Sequence, residues 1–148
     1  MEVLIENRQS RHRLSAQKIQ TTARRILSAL GYPDEAQLSI LIVDDDQIAE
    51  LNLTYLNHAG PTNVISFPMQ EGQFAGITPD LLGDVVISAD TAHREAADAG
   101  MAMAIRFDQL LIHGILHLAG YDHVNSEEEA AVMERKSDEL MELIGKED

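Results

Sequence analysis

The 148-residue chain is the length of a single domain, and its 45% hydrophobic and 24% charged residues exclude disordered, collagen-like and disulfide-scaffold classes. It has no Cys, so thiolate nucleophiles, Cys-ligated zinc and iron–sulfur clusters are excluded, and any metal must be held by His, Asp or Glu. A net charge of −14 argues against general adhesion to RNA, DNA or an anionic membrane, because long-range repulsion opposes it.

Residues 3–5 form a short apolar run that reads as an edge strand. The spacing of Ile19, Ala23, Ile26, Leu27 and Leu30 predicts an amphipathic helix over 14–30, with Ser15 as N-cap and Gly31 and Pro33 as stop signals. Within the first 25 residues Arg8, Arg11, Arg13, Lys18, Arg24 and Arg25 face only Glu2 and Glu6. This is a local basic excess on an acidic body, suited either to docking on one polyanion in one orientation or simply to solvating a helix face. The β-branched run 38–43 predicts a buried strand, ended by Asp44-Asp45-Asp46, which offers N-caps to a helix reaching about Leu56.

After Gly60-Pro61, residues 63–67 read as a strand closed by Pro68, and 70–80, with Gly72, Gly76 and Pro79, as a loop. Val85-Val86-Ile87 gives a further strand, with Ser88 and Asp90 as caps for a helix ending near Gly100. A helix over 103–118 ends at Gly120. Ser126-Glu127-Glu128-Glu129 opens the last helix as a capping box, with Ala130, Met133 and Leu140 on its inner side. Alternation of strands and helices, then helices alone, predicts an α+β fold: one domain over 1–148, with a small mixed β-sheet packed against several helices. The apolar stretch 110–119 is interrupted by His113 and His117 and is far short of the roughly 20 residues that span a bilayer. With no basic-then-apolar leader at the N-terminus, a cytoplasmic protein without a membrane or DNA partner is expected.

The chemistry concentrates in His113-Gly114-Ile115-Leu116-His117-Leu118-Ala119-Gly120-Tyr121-Asp122-His123. Residues four apart on a helix share a face, so His113 and His117 can aim at one point. Gly120 can take a left-handed conformation and turn the chain back, bringing His123 to the same point. Three nitrogens with an open fourth position describe a catalytic zinc (Zn2+) rather than a closed structural one. The spacing is that of the zincin-like metal-binding helix of metzincin proteases, in which a Glu after the first His is the general base. Here that position is Gly114, so peptide hydrolysis lacks its proton acceptor. His12, His58 and His93 stand alone and read as ordinary hydrogen-bonded residues.

Three motifs in this order, Leu51-Asn52 through Pro61-Thr62-Asn63-Val64-Ile65-Ser66-Phe67-Pro68, then Leu82-Gly83-Asp84-Val85-Val86-Ile87-Ser88, then His113 to His123, resemble the YbeY family. These are bacterial rRNA maturation factors regarded as single-strand-specific, metal-dependent endoribonucleases. The likeness covers about residues 36–144. It implies an α+β fold with the metal site at one end of the histidine-bearing helix, His113, His117 and His123 as zinc ligands, and single-stranded or ribosomal RNA as substrate. It also implies the ribosome or ribosome-associated proteins as partners. Zinc in such a site would act as a Lewis acid on a phosphate oxygen and acidify a water, or the RNA's own 2′-hydroxyl would attack. Asp122 and Asp84 are candidates for the general base or for orienting a ligand, and Ser66 is a candidate cleft residue. One position departs from the family, which has an Arg after the aromatic residue where Tyr55 is here followed by Leu56. A guanidinium pairs bidentately with phosphate and leucine cannot; Arg106 is a candidate substitute. The alternatives are a non-catalytic ribosome-assembly or docking factor with a structural zinc, made more credible by Leu56, and a zinc hydrolase of peptides or small molecules, disfavoured by Gly114.

Overall fold

The computed structural model describes residues 1–69, 80–121 and 126–146. Strands β1 (Glu2–Asn7), β2 (Gln37–Val43), β3 (Val64–Pro68) and β4 (Leu81–Ser88) form one sheet in the order β1-β2-β4-β3. The first three neighbours run parallel and β3 pairs antiparallel with β4, which makes the sheet mixed. Helices α1 (Ala16–Ala29), α2 (Asp45–Leu56), α3 (Ala89–Ala99), α4 (Met103–Leu118) and α5 (Glu127–Lys146) complete the α+β architecture.

Helix starts follow local chemistry. Ser15 caps α1 by accepting from the Lys18 backbone N–H, and Asp44 caps α2 in a full capping box with Gln47. Ser88 caps α3, and the Ser126 hydroxyl accepts from the Glu129 N–H at 3.0 Å at the head of α5. Asp90, expected to share the capping of α3, does something else. It is buried and accepts from the Asp45 N–H at 3.1 Å and pairs with His12 at 2.9 Å, tying the segment before α1 to the head of α2.

Two strands differ from their sequence expectation. Pro68 lies inside β3 rather than after it, as an edge strand allows because one side of its backbone has no ladder bond to lose. β4 begins at Leu81 instead of Val85, and the register with β2 slips between Gln37 and Leu38, so an extra residue sits in β4 before Gly83. Gly83 has φ +140°, and a Cβ there would lie 2.2 Å from the Phe67 carbonyl oxygen. A glycine that looks like a strand breaker is thus what permits the bulge. The bulge resets the alternation: Leu82, Val85 and Ile87 all enter the main core, while Asp84 and Val86 face the other way.

The main core joins one sheet face to α1, α3, α4 and α5 through Leu38, Ile40, Ile42, Phe107, Leu111 and Ile115. Helix α4 is buried on most of its circumference, as expected of a helix enclosed by a sheet and its neighbours. Helix α2 covers part of the opposite face, where Ile48 packs with Val43, Ile65 and Val86. Met133, Leu140 and Ile144 anchor α5, with Ala130 only partly buried.

Candidate metal centre and cleft

The two histidines of α4 converge. Their Nε2 atoms are 3.1 Å apart, with ring centroids at 4.6 Å and planes at 77°. Both side chains are partly buried and line a cleft of about 530 Å³ with Leu56, Thr62, Asn63, Ser66 and Tyr121. The spacing suits a shared cation: nitrogens about 2.0–2.1 Å from a tetrahedral zinc stand roughly 3.3–3.4 Å from one another. The donor set and its separation therefore fit two ligands of one metal. Among the described residues no third His, Cys, Asp or Glu joins them, and Asp122 and His123 lie outside the described residues. Gly120 has φ +96°, and the Tyr121 N–H bonds back to the Leu116 carbonyl at 3.0 Å, so α4 ends in the left-handed turn anticipated for it.

Gly114 lies between the two histidines in sequence but faces the sheet. A Cβ there would be 2.6 Å from Val85 Cγ1 and 3.2 Å from Val64 Cγ2. A larger side chain at this position would be driven into the sheet, so the metzincin-type base has no place here. Ser66 sits on β3 with its hydroxyl donating to the Gly114 carbonyl at 2.8 Å. It lines the cleft, and its proton is committed to holding α4 against the strand.

Asp84 is not brought together with the histidines. It pairs in register with Ser39 on the opposite sheet face, in a separate groove of about 580 Å³ with Leu4, Tyr55 and Phe67. Burial pushes its carboxyl above the usual range, and the Ser39 hydroxyl offsets part of that rise. The sheet thus separates Asp84 from the cleft that His113 and His117 line.

Leu56, at the position where the resemblance led an Arg to be expected, lines the cleft and is 44% exposed. Arg106 lies in an adjoining groove, in which His113 and Asn63 also take part. Its guanidinium pairs with Glu95 at 3.0 Å and donates to Gln109 at 2.8 Å, and Glu95 also accepts from the Asn63 side chain at 3.3 Å. Sequence reasoning named Arg106 but missed Glu95, because the link from α3 to α4 to the start of β3 exists only once the helices pack. The same holds for His12, which sits against His93 at 4.8 Å as well as bonding Asp90.

A sheet of this order, crossed by a buried helix that presents two imidazoles to an open cleft, defines a candidate hydrolytic metal centre. Comparison with known proteins gives its family. The family model "Endoribonuclease YbeY" matches residues 4–145. The chain is 50% identical over 148 residues to Endoribonuclease YbeY of Geobacter metallireducens, covering 99% of this chain and 98% of that one. It is 51% identical over 145 residues to that of Geobacter sulfurreducens, covering 97% and 96%. A solution structure of a Thermotoga maritima protein shares the fold with a TM-score of 0.63 at 22% identity, over 95% of this chain and 87% of that one. The chain belongs to the endoribonuclease YbeY family, a family of metalloenzymes.

Proposed function

We propose that this endoribonuclease holds one zinc ion with His113, His117 and His123 and cuts single-stranded ribosomal RNA during its maturation in the cytoplasm. The observation that carries this reading is the pair of Nε2 atoms 3.1 Å apart at the wall of an open cleft. Bound there, zinc supplies Lewis-acid polarisation of a phosphate oxygen and makes a water more acidic. The chain does the rest. His113 and His117 are fixed by α4, which Ser66 ties to β3 through the Gly114 carbonyl, so their nitrogens hold still while a substrate enters. Asp122, next to His123 in sequence, is the proposed proton acceptor or ligand orienter.

The acidic body disfavours loose RNA and favours substrates presented by the ribosome. On α1, Lys18 and Arg24 are exposed and supply the cationic face, whereas Arg8 and Arg11 are paired to Glu6 and Asp90. Among the described residues no helix is long and apolar enough to cross a membrane.

The test is cleavage of a single-stranded ribosomal RNA fragment by the purified protein, beside His117→Ala and a chelated sample, with zinc per chain measured in each. Cleavage in the wild type, lost in both controls together with the zinc, is expected. Retention of about one zinc per chain with intact RNA would overturn the nuclease reading in favour of a docking factor. Charge reversal at Arg24 and Arg25 should weaken ribosome association at low salt; unchanged binding would remove the basic face from the account.

A further inference from the structure

Adjoining the histidine cleft, with which it shares His113 and Asn63, a second groove of about 270 Å³ opens between α4 and α5. Leu110 and Met141 give it an apolar wall, and Asp138 also lines it. Because His113 lines both cavities, a strand whose phosphate lies in the first would place a neighbouring nucleotide in the second.

Charge decides which part of that nucleotide fits. Arg106 is the groove's cation, but Glu95 matches it at 3.0 Å. The Asp138 carboxylate has no hydrogen-bond or ion-pair partner among the described residues. The net balance is acidic, which repels a phosphate but suits the N–H edge of an uncharged base. Glu95 and Gln109 hold the Arg106 guanidinium in place, and a fixed guanidinium is a planar surface on which a base can stack.

We propose that this groove is a nucleobase subsite beside the cleaved phosphate, in which the Asp138 carboxylate selects a base presenting N–H donors. Guanine is favoured above the others, because its adjacent imino and amino groups match the two carboxylate oxygens. Uracil is disfavoured, because its one imino group is flanked by carbonyls that the carboxylate repels. The proposal rests on the endoribonuclease reading of the adjoining cleft, and Asp138 is a specificity-determining residue rather than a catalytic one.

The experiment is limited cleavage of a single-stranded RNA pool of random sequence, with both new ends sequenced, by the wild type, Asp138→Asn and Glu139→Gln. Glu139 pairs with Lys136 and does not line the groove, so its variant removes the same charge elsewhere. The wild type is expected to show one position flanking the cut at which guanine exceeds uracil about tenfold. That ratio should fall severalfold in Asp138→Asn and persist in Glu139→Gln. A flat profile in the wild type, the same profile in Asp138→Asn, or a uniform loss of cutting with the profile unchanged would each overturn the subsite. Absence of metal-dependent cleavage in all three proteins would instead refute the reading of the cleft, and the subsite with it.

Discussion

Replacing Gly114 by Ala sets two known effects against each other at the point where α4 meets the sheet. In an exposed helix the change is worth about 1 kcal/mol of stability, because glycine has more backbone freedom to lose. Here the new Cβ would lie 2.6 Å from Val85 Cγ1 and 3.3 Å from Val85 Cγ2, against an ordinary carbon contact of about 3.5–4.0 Å. Val85 is fully buried and β-branched, so it has little rotamer freedom with which to yield. Overpacking of this kind costs about 1–3 kcal/mol. If α4 retreats instead, the Ser66 hydrogen bond to the Gly114 carbonyl lengthens, at about 1 kcal/mol. The net expectation is a loss of up to about 2 kcal/mol, or a fall of up to several degrees in melting temperature for a domain of about 150 residues. Urea unfolding of the metal-stripped protein is the assay, since a bound metal would stabilise the native state by mass action and mask the packing term. Val85→Ala supplies the second arm: it should cost at least about 1 kcal/mol less in the Gly114→Ala background than alone, because the clash goes with the methyl groups. A Gly114→Ala protein more stable than wild type, or strictly additive variants, would refute the close approach of α4 to β4.

Three further outcomes follow from the same structure. Gly83→Ala, at φ +140° with its Cβ against the Phe67 carbonyl, should lose more than about 3 kcal/mol; a melting curve matching wild type would refute the bulge. Asp84→Asn should raise the urea midpoint at pH 7. The folded state lifts the Asp84 pKa through burial, so ionisation at neutral pH opposes folding, and the advantage should vanish once the wild-type carboxyl is protonated; a lower midpoint at pH 7 would refute this. Burial alone would raise Asp45, but hydrogen bonds from Thr91, Ser88 and Arg94 hold its pKa below the usual range. Its contribution is therefore fully present above about pH 4 and lost as the pH falls through the lowered value. Asp45→Asn should cost about 1–3 kcal/mol at pH 7, with the gap to wild type closing in acid; a gap independent of pH would refute the network.

The sequence by itself determined what lies within reach of a few residues along the chain. Ser15, Asp44 and Ser88 begin their helices as capping chemistry requires, and His113 and His117 meet because a helix places residues four apart on one face. Only the tertiary structure decided what depends on pairing between distant segments. Alternation along β4 could not say which way Asp84 faces, since the bulge at Gly83 resets it and the position of β4 between β2 and β3 decides which face meets α4. Nor could spacing join Asn63, Glu95 and Arg106, or His12 and Asp90, which come from separate elements and touch only after packing. A helix turn is dictated by covalent neighbours, whereas a sheet face and an interhelical groove are settled by the whole set of contacts that buries the core.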